Sequence, residues 1–177
     1  MKKTVAICRY GAGNVRSVEL AFLRLGAELV EDVETADLAV LPGVGSARSA
    51  MDGLRERGLD AVLRARTKPT LGICLGLQLA LEHTAEDGGV DGLALVPGRA
   101  VRVQAERVPR IGWARIEPDG DAYWFAHSYV AESPATTATS EGLAAIVEHG
   151  TFTGVQFHPE KSGPMGARFL ERCLSRA

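Results

Sequence analysis

The apolar residues of the first half fall into short runs separated by stretches of helical spacing. Thr4–Cys8 is one such run, and Arg9-Tyr-Gly-Ala-Gly-Asn14 follows it, which predicts a strand, a Gly-rich turn and a helix N-cap at Asn14. Val15, Val18, Ala21, Phe22 and Leu25 then recur at the period of an amphipathic helix, and Gly26 closes it. Glu28–Glu31 reads as a weak strand. Asp37–Leu41 reads as a stronger one ending in Pro42-Gly-Val-Gly45, after which Ser46 caps a helix that runs towards Arg66 with interruptions at Gly53 and Gly58. A third buried run, Thr70–Ile73, breaks at Cys74, and Leu75–His83 continues as a helix. Alternating strands and helices imply an α/β fold: a doubly wound, mainly parallel sheet with helices on both faces. Ligands of such sheets sit beyond the carboxyl ends of the strands, which gathers Tyr10–Asn14, Pro42–Gly45 and Cys74–Leu77 on one edge.

The pattern changes in the second half. Ala100–Val103, Trp113–Ile116, Ala122–Val130, Leu143–Val147 and Phe152–Phe157 are short runs parted by turn residues, expected as antiparallel strands added at the sheet edge. A last helix, about Pro164 to Ser175, places Met165, Phe169, Leu170 and Cys173 on one face. With no repeat, low-complexity tract or linker, residues 1–177 are expected to form a single domain.

Composition narrows the function classes. Hydrophobic residues at 46% and charged residues at 24% are those of a globular chain. A net charge of -2 offers no basic field for nucleic acid. No stretch approaches membrane-spanning length. The apolar run after Met1-Lys-Lys stops at Arg9, too short for a secretory h-region. Three widely spaced cysteines, Cys8, Cys74 and Cys173, suit reduced thiols in the cytoplasm and show no metal-ligand spacing, so no metal and no cofactor is expected.

The candidate chemistry starts at Gly72-Ile-Cys-Leu-Gly76, the G-x-S-x-G spacing of a nucleophile elbow with Cys in place of Ser. A sharp strand-to-helix turn exposes the nucleophile, and flanking glycines permit close approach. By itself the stretch fits a structural thiol equally well. A nucleophile needs a base and an orienting group. Among four histidines, His83 would end the elbow helix as a cap, and His149 stands in a turn before Gly150. His127, without an acid at fixed spacing, reads as a core or loop residue. His158 precedes Pro159, which holds it extended, and Glu160 lies two residues on, on the same side at about 6.5 Å in extended chain. Cys74, His158 and Glu160 therefore form the candidate triad, with Cys8 and Cys173 as core thiols. Gly11 and Gly13 do not make a dinucleotide loop, because position 16 is Arg where a third glycine would stand.

Gly72-Ile-Cys-Leu-Gly-Leu-Gln78 together with Val155-Gln-Phe-His-Pro-Glu160 resembles the class I (triad) glutamine amidotransferases. Tyr10-Gly-Ala-Gly-Asn14 with Arg16-Ser-Val18, Leu41-Pro-Gly-Val-Gly45, Pro109-Arg-Ile-Gly-Trp113, and His127-Ser-Tyr129 with Lys161-Ser162 resemble the branch acting in histidine biosynthesis. The likeness runs from about Ala6 to Gly163. It implies L-glutamine as substrate, with ammonia passed to a (β/α)8-barrel cyclase subunit in a heterodimer. It further implies that the backbone of Val44 and Leu75 forms an oxyanion hole and that Gly43, Gln78, Ser128 and Tyr129 hold the glutamine. Asn14, Trp113 and Lys161, with Tyr129 beside them, match positions near the partner. Arg9, Arg110 and Ala114 depart from the family pattern, and the segment from Trp113 to Tyr123 is shorter than usual. The competing readings are the glutaminase subunit of another synthase (pyridoxal phosphate or anthranilate), a stand-alone cysteine hydrolase, and a binding domain without catalysis.

Overall fold

The alternation of Val5, Ala6 and Ile7, and of Leu38, Ala39 and Val40, sends successive side chains to opposite faces of a central sheet, and a separate core forms on each face. The computed structural model describes residues 2–11 and 14–177. Part of the predicted Gly-rich turn, Ala12 and Gly13, lies outside the described residues, as does Met1. In chain order the elements of the first half are β1 (Thr4–Ile7), α1 (Val15–Arg24), β2 (Glu28–Val30), β3 (Leu38–Leu41), α2 (Ala47–Glu56), α3 (Leu59–Ala65), β4 (Thr70–Ile73) and α4 (Leu75–Ala80). The second half continues with β5 (Leu81–Thr84), β6 (Val90–Asp91), β7 (Val96–Arg102), β8 (Arg110–Arg115), β9 (Ala122–His127), β10 (Tyr129–Glu132), β11 (Thr136–Ser140), β12 (Leu143–His149), β13 (Phe152–Val155) and α5 (Gly163–Arg176).

The main sheet has the order β11-β12-β13-β4-β3-β1-β2. β2, β1, β3, β4 and β13 are mutually parallel. Val18 and Phe22 of α1 and Phe169, Leu170 and Leu174 of α5 cover one face, while α2, α3 and the start of α4 cover the other. This is the doubly wound arrangement expected from the sequence.

Three expectations need correction. Phe152–Val155 is not an antiparallel edge strand but pairs in parallel with β4 inside the sheet, and only β12 and β11 extend the edge antiparallel. The other late strands build a separate four-stranded sheet, β10-β7-β5-β6, and a β8–β9 hairpin. The elbow helix ends at Ala80 instead of His83. Its end is set from outside: Leu93, Leu95 and Ala94 donate to the carbonyls of Leu79, Ala80 and Leu81, at 2.7, 2.8 and 3.1 Å. A continuing helix would need those acceptors for its own next turn. Leu81 turns extended and β5 pairs with β7, so His83 caps no helix and meets Asp91 Oδ1 at 3.3 Å in the open.

Because β13 is parallel to β4, a fourth strand terminus joins the three expected at the carboxyl edge. The segments after β1, β3, β4 and β13 carry Tyr10, Pro42–Gly45, Cys74 and His158 respectively.

Candidate active site

Cys74 sits at the sharp turn between β4 and α4 with φ 52° and ψ -108°, a left-handed conformation that a residue with a Cβ adopts only under constraint. The constraint is visible in its neighbours. The Cys74 N–H donates to Val155 O at 2.7 Å, and its carbonyl accepts from Leu77 and Gln78 at 3.1 and 3.3 Å. Glycines make the turn possible: a Cβ at Gly72 would lie 2.9 Å from Gly76 O, and one at Gly76 only 1.9 Å from Leu41 O. Gly72 is paired with Gly154 across the ladder, and a Cβ at Gly154 would lie 2.4 Å from Leu77 Cδ1, so α4 packs directly on bare backbone.

His158 reaches the same place from β13. Its N–H donates to Trp124 O at 2.8 Å, and Ser162 Oγ donates to its carbonyl at 2.6 Å while accepting from Trp124 N at 2.9 Å. The loop is thereby fastened to β9. Nδ1 meets Glu160 Oε1 at 2.9 Å, with both side chains almost fully buried (3% and 2% exposed). The predicted pair exists, but its geometry is not that of extended chain. Only His158 is extended (φ -103°, ψ 94°); Pro159–Lys161 is a single 3-10 turn, and the turn brings the carboxylate back to the imidazole.

The charge state of His158 follows from opposing effects. Burial works to lower its pKa, but its interactions with Cys74 and with the Glu160 carboxylate outweigh burial and raise it to about 9. The imidazole therefore holds a proton at neutral pH, ready for a leaving group. The thiol leans towards Ala126 O at 3.8 Å and accepts from Gln156 Nε2 at 3.6 Å; apo centres commonly show such loose alignment before substrate binds.

His127 behaves oppositely. Burial lowers its pKa to about 4, against the hydrogen bond to Tyr129 O and with help from Arg110 and His158. It stays neutral at physiological pH, but it is not the satisfied core or loop residue expected: it lines the cavity beside Cys74, and its buried Nε2 has no hydrogen-bond partner among the described residues. A stability optimum follows by linkage. His158 is raised from 6.5, so its contribution is complete below pH 6.5 and is lost as the pH climbs through 9. His127 is depressed from 6.5, so its penalty is absent above pH 6.5 and grows as the pH falls through 4. For His127 this amounts to on the order of 3 kcal/mol. Urea unfolding between pH 4 and 9 is expected to show maximal stability near pH 6.5. His127→Gln should flatten the acid limb and His158→Gln the alkaline one.

A cavity of about 190 Å3 opens beside Cys74, lined among others by Gly43, Val44, Leu75, Gln78, Ser128 and Tyr129. All four residues matched to glutamine binding and both matched to the oxyanion hole thus meet in one space. The cavity is smaller than the roughly 300–1,000 Å3 of drug-sized ligand sites and suits a single amino acid. Two residues escaped the sequence reading. Gln156, fully buried, accepts from Gln78 Nε2 at 3.2 Å and donates to Cys74; the one polar position in the apolar run Gly154–Phe157 was its signal. Glu86 lines the cavity and accepts from Ala47 N at 3.1 Å, and burial raises its pKa. Nothing in the turn-like Glu86-Asp-Gly-Gly89 announced it.

The remaining candidates lie apart. Burial pushes the Cys8 and Cys173 thiols up to about 12. His149 is exposed beside Gly150, as expected. Asn14 caps α1, accepting from Ser17 N at 3.4 Å. Trp113 is 58% exposed and meets Trp124 edge-on at 6.0 Å, and Lys161 is exposed on the 3-10 turn tied to Trp124 through Ser162. Two departures from the family pattern have local partners: Arg9 pairs with Glu19, and Arg110 lies over the Phe125 ring at 4.4 Å while donating to Ser140.

Known proteins resemble this chain along nearly its whole length. An imidazole glycerol phosphate synthase subunit HisH of Exiguobacterium sibiricum is 39% identical over 180 residues, covering 94% of this chain and 92% of that protein. The subunit of the same name from Methanothermobacter thermautotrophicus is also 39% identical, over 190 residues and 94% and 95% of the two chains. Among solved structures, a glutamine amidotransferase superposes with a TM-score of 0.79 at 20% identity over 97% of this chain and 98% of that one. PurLQS from Thermotoga maritima superposes at 0.72 and 17% identity over 99% and 98%, a likeness of fold alone. The model of the class-I glutamine amidotransferase family matches residues 5–177. A cysteine elbow, a buried His–Glu pair and a match over nearly the whole length lead to one conclusion: the chain belongs to the class-I glutamine amidotransferases.

Proposed function

We propose that this chain is the glutaminase subunit of an imidazole glycerol phosphate synthase and works as a single cytoplasmic domain in histidine biosynthesis. Cys74 Sγ, having given its proton to His158, attacks the side-chain amide carbon of L-glutamine. The resulting oxyanion is received by the backbone N–H groups of Val44, in the loop after β3, and of Leu75, at the start of α4. The proton on His158 passes to the departing nitrogen, the C–N bond breaks, and ammonia leaves a γ-glutamyl thioester. The now neutral His158 takes a proton from water, the hydroxide adds to the thioester, and glutamate and a proton leave to solvent as the deprotonated Cys74 Sγ and the protonated His158 are restored. Glu160 holds the imidazole in orientation throughout. Gln78, Ser128 and Tyr129 hold the substrate, and the Glu86 carboxylate in the same cavity suits its α-ammonium group. The observation that carries the reading is the convergence of Cys74 and the buried His158–Glu160 pair at the carboxyl edge of the sheet, where Cys74 and Gly43–Gly45 line one cavity.

Ammonia then goes to a (β/α)8-barrel cyclase subunit, which uses it on the ribulosyl nucleotide PRFAR to form imidazole glycerol phosphate and AICAR. Ile111 and Trp113, 62% and 58% exposed on one side of β8, with Lys161 nearby, offer an apolar surface for that partner. The test is glutamine hydrolysis by the purified chain alone and with the cyclase and PRFAR. Strong hydrolysis only in the complex is expected. Full hydrolysis by the chain alone would overturn the coupling, and turnover of esters with indifference to glutamine would overturn the reaction.

A further inference from the structure

The segment that carries the oxyanion donor is gripped from behind by a side chain that the catalytic scheme does not use. Tyr10 lies just past the end of β1, is buried, and donates its hydroxyl to the carbonyl of Pro42. That carbonyl belongs to the peptide immediately before Gly43–Val44, the peptide whose N–H would face the oxyanion. Tyr10 is itself firmly seated, since a Cβ at Gly53 of α2 would lie 2.1 Å from its backbone oxygen. Gly43 is wedged against the elbow, where a Cβ would lie 2.5 Å from Gly76 N. Beyond Gly45 the chain is held again: Glu86 Oε2 and Asp87 Oδ2 accept from Ala47 and Arg48 N–H at 3.1 and 3.0 Å. Both ends of the segment are fixed, and the Tyr10 hydroxyl fixes the end that leads into Gly43, which packs on the elbow.

From this geometry we infer that Tyr10 is a positioning residue of the glutaminase centre, its hydroxyl setting the angle at which the Val44 N–H meets the oxyanion by holding the Pro42 carbonyl. The inference rests on the reading of Cys74 as nucleophile and Val44 as oxyanion donor. Without the hydroxyl, the buried Pro42 carbonyl loses this donor and gains by rotating towards another, which tilts the next peptide. The oxyanion exists only after attack, so the tilt acts on the transition state and leaves ground-state binding of glutamine nearly untouched.

The experiment is Tyr10→Phe in the assembled synthase, which keeps the ring and removes only the donor. We expect kcat for glutamine to fall about tenfold with KM changed less than twofold. Affinity for a γ-aldehyde analogue of glutamine, which adds to Cys74 as a tetrahedral adduct, should fall by the same factor, while the ammonia-dependent reaction stays at the wild-type rate. An unchanged kcat and aldehyde affinity, or a rise in KM matching the fall in kcat, would overturn the inference. The unaltered protein supplies a check that does not depend on the variant folding. The buried Tyr10 hydroxyl proton is expected as a slowly exchanging NMR resonance that shifts when the aldehyde adduct forms; a resonance indifferent to the adduct counts against the proposal. A wild-type complex inert towards glutamine would overturn the functional reading and this inference with it. An active wild type with an unaltered Tyr10→Phe overturns this inference alone.

Discussion

Cys74→Ala is expected to lower glutamine hydrolysis in the cyclase complex by at least ~10^4-fold, while the reaction supplied with free ammonia continues at the wild-type rate. The size of the loss follows from the chemistry. Without the sulfur there is no thioester, and the proton that His158 holds has no tetrahedral intermediate to go to. Removing the sulfur also removes the interaction with Cys74 that helps to raise the His158 pKa, so the imidazole of the variant should titrate below about 9. Two readouts therefore check one variant: steady-state rates with glutamine and with ammonia, and the pH titration of the His158 ring by NMR. Loss of both reactions in a folded, assembled complex would show that Cys74 is needed for structure or docking instead of for attack. Glutamine turnover that survives the substitution would move the nucleophile elsewhere, although Cys8 and Cys173, with thiols pushed up to about 12, are poor replacements.

Gly76→Ala is expected to cause the largest loss of stability among single-methyl changes at the elbow. The added Cβ would sit 1.9 Å from Leu41 O, and the obstacle is backbone at the end of a central strand, which cannot swing aside as a side-chain tip can. Relief requires α4 to lift from β3, which pulls Leu75 and Leu79 out of a core they share with Leu41 and Met51. A destabilisation of about 3 kcal/mol or more follows. Gly120→Ala provides the contrast. Its Cβ would meet nothing within 4 Å, and its cost is confined to the left-handed φ of 76°, about 1–2 kcal/mol. Urea midpoints of the two variants, compared with wild type at pH 6.5, test the difference. Equal losses would mean that the strand–helix contact is softer than the geometry indicates.

The elbow was legible because its causes are local. The sharp turn and the glycines that permit it lie within Gly72–Gly76, so their spacing carries the information. The His158–Glu160 contact was legible for a weaker reason. Two residues of separation keep the groups together in either extended chain or a 3-10 turn, and the contact survived although the backbone path differed. The end of α4 was not legible. Leu79-Ala-Leu-Glu-His83 has ordinary helix propensity, and only the carbonyl-seeking N–H groups of Leu93, Ala94 and Leu95 stop it. The place of β13 was hidden likewise, because an apolar run carries no mark of its neighbour or of its direction. Glu86 and Gln156 reach the site from segments whose roles depend entirely on what they face.

The sequence by itself determined the α/β class, the strained cysteine with its flanking glycines, the adjacent His–Glu pair and the family, since each depends on residues a few positions apart or on patterns repeated along the chain. Tertiary structure alone decided that β13 lies beside β4. That pairing places His158, more than eighty residues from Cys74, across from the elbow, and the packing of the other segments gathers Gly43–Gly45, Gln78, Tyr129 and Glu86 around one cavity. The physical reason is that strand order and hydrogen-bond partners are set by competition among all the segments for the same core and the same backbone donors, and no local stretch records the outcome of that competition.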